Sequence, residues 1–139
     1  VLRHDDALAV LGDPVTFSSR VSTHVAVPNG MDPPDHTRYR AVVDRCFTPD
    51  EQDYCESRRN PAESYAARFC GKEAVGKALG CGVLFTWKEI EIVGPPKPGA
   101  TLTGKTLRYA ERVGMRALDL SLTHSHTMAG AVCVVELGD

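Results

Sequence analysis

The segment running from Asn60-Pro61 to Gly80-Cys81-Gly82 constrains the fold most. Proline at a first helical position opens it, the apolar residues Tyr65, Phe69, Val75 and Leu79 recur at helical intervals, and Gly-Cys-Gly closes it. These signals predict one long helix of about five turns, against which the remaining elements must pack.

The flanking signals agree. Thr48, Pro49 and the acids Asp50 and Glu51 predict a second helix start, with a cap oxygen and carboxylates at the positive end of the dipole. Upstream, the pattern reads as a short helix around Asp5 to Leu11, a loop from Gly12 to Pro34 rich in Pro, Gly, Ser and Asn, and a helix around Asp35 to Cys46. Downstream, KEIEIV (Lys88 to Val93) alternates as a strand, PPKPG (Pro95 to Gly99) turns, and TLTG forms a second short strand. Lys105 to Val113 is predicted helical, with Leu107, Ala110 and Val113 on its buried side. ALDLSLTH (Ala117 to His124), a turn at SHTM and AGAVCVVEL (Ala129 to Leu137) read as a hairpin. From Phe47 onward the expected class is α+β, a long helix packed on an antiparallel sheet, without internal repeats or low-complexity segments.

Composition narrows the function. The chain has 139 residues, enough for one domain with a sizeable core. Hydrophobic residues make up 42%, charged ones 24%, and the net charge is -2, which excludes the disorder signature and the basic footprint of a nucleic-acid binder. No apolar run approaches the ~20 residues needed to cross a bilayer, and VLRHDDALAV carries acids where a signal peptide would be basic and then apolar. The expectation is a cytoplasmic protein with neither a membrane nor a nucleic acid as partner. Cys46, Cys55, Cys70, Cys81 and Cys133 are odd in number and form no CxxC pair, so free thiols are expected rather than a zinc site or a disulfide framework.

Within the long helix, Glu73 and Lys77 lie four residues apart and project from one face, beside the small residues Ala74, Gly76 and Ala78. A carboxylate next to an ammonium suits a magnesium-bound diphosphate: the acid supplies a hard oxygen ligand, and the lysine neutralises a phosphate oxygen as charge shifts. The same spacing also describes a solvated Glu-Lys pair contributing ~0.2 to 0.5 kcal/mol. His124 ends a predicted strand where the hairpin turns, a place suited to a site residue or to a structural histidine.

Taken together, FTPDEQDYC (Phe47 to Cys55), ARFCGKEAVGKALG (Ala67 to Gly80), WKEIEI (Trp87 to Ile92) and SLTHSHTMAGAVCVV (Ser121 to Val135) resemble the holo-acyl-carrier-protein synthase family of 4'-phosphopantetheinyl transferases. The resemblance covers Phe47 to Glu136. It implies a 4'-phosphopantetheinyl transferase-like fold, Glu73 as a Mg2+ ligand, Lys77 on the CoA phosphates and His124 at the active site, with Gly80 and Gly82 among the CoA-binding positions. The small neighbours would then make room for CoA. The implied reaction moves the phosphopantetheine arm of CoA to a serine of an acyl carrier protein, in a homotrimer whose sites lie between subunits. Arg38, Arg45, Arg58 and Arg59 are candidate contacts for an acidic partner helix.

The N-terminal part departs from that pattern. The family opens with a strand reading roughly G-[IV]-D, whose acid is a second Mg2+ ligand, followed by an arginine that meets the carrier protein. Gly30-Met31-Asp32 and Arg38 occupy those positions, but Pro33 and Pro34 interrupt the strand. DDALAVLGDPVTFSSR and VPNGMDPPDHTRYRAVVDRCFTP resemble instead the B-to-C helix region of bacterial cytochromes P-450, in which His36 and Arg40 would correspond to residues at the haem propionates. The chain therefore reads as a cytochrome P-450-like fragment over residues 1–46 joined to a transferase-like domain over residues 47–139. A working monooxygenase is excluded, because no cysteine sits in an F-x-x-G-x-x-x-C-x-G loop. Three functions stay open at this level: the transferase, a CoA- or carrier-binding module with an impaired metal site, and a haem-binding fragment.

Overall fold

The computed structural model describes residues 35–81 and 85–138, with side chains from Tyr39 onward. The expected helix around Asp5 to Leu11, the loop to Pro34, and Asp32 and Gly82 lie outside the described residues. Three helices lead: α1 (Asp35–Cys46), α2 (Pro49–Glu56) and α3 (Pro61–Ala78). A 3-10 turn (Trp87–Glu89) precedes the ribbon of β1 (Ile90–Val93) and β2 (Gly99–Leu102), then come α4 (Gly104–Arg112) and the ribbon of β3 (Met115–His124) and β4 (Ala129–Leu137). Each ribbon is antiparallel, so the architecture is the expected α+β.

Local chemistry explains the starts. Thr48 Oγ1 accepts from Glu51 N at 3.2 Å while Glu51 Oε2 accepts from Thr48 N at 2.9 Å, a reciprocal cap that starts α2 at Pro49. At the other end of α3, Gly80 has φ of +81° and donates to Lys77 O, while Cys81 N donates to Gly76 O at 3.1 Å. This left-handed glycine closure satisfies two carbonyls that the helix would otherwise leave unpaired.

α3 is the spindle. Val75 and Leu79 bury against Ile90, Ile92, Leu102, Ala110 and Leu120, which joins the helix to both ribbons and α4. Ala67 and Cys70 meet Ala129 with Leu122 and Ala131 alongside, and its N-terminal half, through Tyr65, joins Val43, Cys46, Phe47 and Cys55 of the first two helices. Gly71 lets the ribbons approach the helix closely: a Cβ there would stand 3.0 Å from Leu122 Cδ2 and 3.2 Å from Ile92 Cδ1.

Three local expectations shift. The strand expected from Lys88 begins at Ile90, because residues 87–89 form the 3-10 turn. The TLTG strand ends at Leu102, where Thr103 and Gly104 begin α4. The buried side of α4 carries Thr106 and Ala110, whereas Leu107 is exposed and Val113 half-buried. Glu89 causes that rotation: its carboxylate accepts from Lys105 N at 3.1 Å, Thr106 N at 3.0 Å and Thr106 Oγ1 at 2.8 Å, drawing Thr106 inward. The five thiols are free, as expected.

Candidate functional site

The last turns of α3 bring Glu73 and Lys77 together, with Lys77 Nζ 3.6 Å from Glu73 Oε1. Their side chains are 35% and 65% exposed respectively, so both charges face water. Lys72, the residue before Glu73, behaves differently. Lys72 is fully buried, and its ammonium donates to Glu51 Oε2 at 2.7 Å, Trp87 O at 3.0 Å and the Ile90 carbonyl. Burial lowers the Lys72 pKa, and the Glu51 carboxylate opposes that shift. Glu51 Oε1 in turn accepts from Ile92 N at 3.0 Å. No sequence pattern marks this buried network beyond the Thr48/Glu51 spacing.

The small residues work partly inward. Gly76 is buried with its carbonyl engaged by Cys81 N and Sγ, and Gly71 admits the β-sheet side chains. Ala74 is half-buried and Ala78 exposed.

Beyond Gly80 lies a cleft of about 460 Å³ lined by Gly80, Phe85, Lys105, Arg108, Tyr109 and Arg112. The three cations sit at intervals of three and four on α4 and so share a face. None of them forms an ion pair among the described residues. Glu89, the acid of this cleft, is engaged by the start of α4, and the hydrogen bond from Lys105 N leads those that hold its pKa below the usual carboxylate range. The cleft therefore combines cations with two aromatic rings, a chemistry suited to an anion bearing a flat group.

His124 lies elsewhere. It pairs with Ala129 at the turn end of the β3–β4 ribbon, on the side that packs on α3, and its side chain is 49% exposed. Its Nδ1 lies 3.4 Å from Oε2 of Glu63, in the first turn of α3. Glu63 and Lys77 are separated by fourteen residues of one helix, roughly 21 Å along the axis at about 1.5 Å per residue. Within one chain, His124 and the Glu73/Lys77 pair thus occupy opposite ends of α3. The other face of the same ribbon exposes Val132 and Val134, 66% and 65% accessible, opposite Ser121 and Asp119.

Among the remaining candidates, Gly80 lines the cleft, and Arg45, Arg58 and Arg59 are exposed, Arg58 lying 4.8 Å over the Tyr54 ring. The side chains of His36 and Arg38 fall outside the described ones, and Arg40 is exposed. No helix among the described residues is long and apolar enough to cross a membrane.

The fold and sequence have relatives. A model of the 4'-phosphopantetheinyl transferase superfamily matches residues 29–133. The holo-[acyl-carrier-protein] synthase of Moorella thermoacetica is 40% identical over 102 residues, spanning 71% of this chain and 80% of that protein. The synthase of Desulforudis audaxviator is 45% identical over 103 residues, spanning 72% of this chain and 78% of its own length. The crystal structure of Helicobacter pylori holo-[acyl-carrier-protein] synthase in complex with coenzyme A matches with a TM-score of 0.61 at 28% identity, over 72% of this chain and 85% of that one.

Proposed function

The chain belongs to the 4'-phosphopantetheinyl transferase superfamily, and from that membership we propose that it is a holo-acyl-carrier-protein synthase, moving the 4'-phosphopantetheine arm of CoA to a carrier-protein serine. The observation that carries this reading is the Glu73/Lys77 pair, set on the last turns of a glycine-closed helix beside a cationic cleft. The serine Oγ bonds to the β-phosphorus of CoA, the bond from that phosphorus to the bridging oxygen breaks, and 3',5'-ADP leaves with the electron pair. The serine proton passes to a base of the site.

Lys77, solvated and held only by a weak contact, is free to swing onto the diphosphate and neutralise its developing charge. The cations of α4 and the rings of Phe85 and Tyr109 offer a berth for the nucleotide end. Glu73 fits Mg2+: its carboxylate accepts no backbone hydrogen bond among the described residues, and this cation commonly takes one or two carboxylates and fills its shell with water and phosphate oxygens. Asp32 is the second candidate ligand. When bound, Mg2+ supplies charge neutralisation at the diphosphate.

The reading requires a second copy. Because His124 and Lys77 lie at opposite ends of α3, His124 of one copy would serve the Glu73/Lys77 pair of a neighbour. The apolar outer face around Val132 and Val134 is available for such contact, and a closed ring of three copies would satisfy every face. Incubating apo acyl carrier protein with the protein, CoA and Mg2+ and reading the intact mass tests the function. Addition of one phosphopantetheine to the carrier, lost when its serine is replaced by alanine, is expected; an unchanged mass with several carriers would refute it.

A further inference from the structure

Glu63 is absent from every role assigned above, yet it is the residue that His124 meets. It stands in the first turn of α3, where Nδ2 of the N-cap residue Asn60 donates to its Oε1 at 2.6 Å. Its Oε2 lies 3.4 Å from His124 Nδ1, and Oε1 lies 3.3 Å from His126 Nδ1 on the hairpin turn. The turn is closed by Ser125 N donating to Met128 O at 2.7 Å, so His124 at the strand end and His126 on the turn are both held toward the helix. Glu63 is largely buried and His126 is 90% exposed, so His126 is the solvent-side neighbour. From α3 and from the turn, these are the charged groups paired around His124 among the described residues.

Building on the transferase reading, we propose that Glu63 is a positioning residue that fixes the tautomer and orientation of His124. A carboxylate facing Nδ1 favours the form with its proton there, which leaves Nε2 as an acceptor. Nε2 is then the atom presented outward, toward the Glu73/Lys77 pair of a neighbouring copy, where it can take the serine proton. In the transfer step, the proton moves from serine Oγ to His124 Nε2 as the oxygen–phosphorus bond forms, giving an imidazolium that Glu63 stabilises. The proton returns to solvent after 3',5'-ADP departs. The 3.4 Å contact is long for a hydrogen bond, as such contacts commonly are before substrate binds, and it shortens as positive charge develops on the ring.

The test compares Glu63→Ala and Glu63→Gln with the unaltered protein. Nitrogen-15 chemical shifts of labelled histidine report the tautomer, and steady-state transfer to apo carrier protein reports kcat and the KM for CoA. Glu63→Ala is expected to lose the Nδ1-protonated bias at His124 and to lower kcat on the order of 10- to 100-fold with little change in KM. Glu63→Gln, whose amide oxygen still accepts from Nδ1, is expected to keep the tautomer and recover part of kcat. Thr48→Ala removes the reciprocal cap of α2 and touches neither Glu63 nor His124, so it is expected to lower Tm while leaving kcat and tautomer intact; a parallel loss of kcat in that variant would show that kcat follows stability rather than Glu63 and overturn the proposal. So would a His124 tautomer or a kcat unmoved by Glu63→Ala. Absence of transfer by the unaltered protein would sink the transferase reading instead, a result distinguishable because the tautomer measurement needs no activity.

Discussion

Lys72 and Glu73 are neighbours in sequence with opposite fates, and about 100° of helical rotation separates them. One ammonium is locked in a buried network, while the adjacent carboxylate half-faces solvent with Lys77 one turn on. Lys77→Ala should therefore cost about 100- to 1,000-fold in kcat/KM through lost charge stabilisation. The same change should shift unfolding free energy by less than ~0.5 kcal/mol, since an exposed i,i+4 pair contributes no more. Parallel kinetics and urea unfolding check both numbers, and a large stability loss with unaltered activity would assign Lys77 a structural role. Glu73 and Lys77 were legible because their relationship is local, set by helical spacing. Lys72 and Glu63 were not, because the groups that define them, Glu51 for one and His124 for the other, arrive from distant segments.

Among the elements, those with local punctuation were read well: Asn60-Pro61 and Thr48-Pro49 both open helices, and α1 and β4 run as expected. The buried face of α4 departs from its apolar periodicity because its capping carboxylate, Glu89, lies fifteen residues before the helix begins. The smallness of the Ala67 to Gly80 stretch was legible, but part of it serves packing, as Gly71 shows against Leu122 and Ile92. The Lys72 ammonium ties α3 to Glu51 of α2, to Trp87 of the 3-10 turn and to Ile90 of β1. Lys72→Met leaves the Glu51 carboxylate buried without its cation and should cost on the order of 3 to 5 kcal/mol in denaturant unfolding. A loss below about 1 kcal/mol would mean that backbone donors alone satisfy Glu51.

At the scale of the whole molecule, the interior holds many weak acids. Burial is the largest cause raising the pKa of Tyr39, Cys46, Cys55, Tyr65, Cys70, Cys81 and Cys133, with Cys55 and Tyr39 pushed up to about 12. In the unfolded chain these groups ionise near their ordinary values, about 8.5 for thiols and about 10 for phenols. The unfolded state thus releases protons first, and their contribution to stability, complete below about pH 8.5, is lost as pH rises toward about 12. Lys72, with its lowered pKa, works in the opposite sense but is a single group against seven. Chemical denaturation midpoints should fall between about pH 8 and pH 11, and Cys55→Ala should flatten part of that slope; a midpoint independent of pH would contradict the assignment of these buried acids. The largest-scale feature is the distance between His124 and Lys77, which on the proposed reading leaves a single chain without a complete site. The most direct measurement mixes unfolded Lys77→Ala and His124→Ala proteins, refolds them together and reads phosphopantetheine addition to apo carrier protein by intact mass. Each variant alone should lose about 100-fold or more, and random reassembly should restore about a quarter of the sites if each site draws its two residues from different copies. A mixture as inactive as its components, though folded and assembled, would contradict the account.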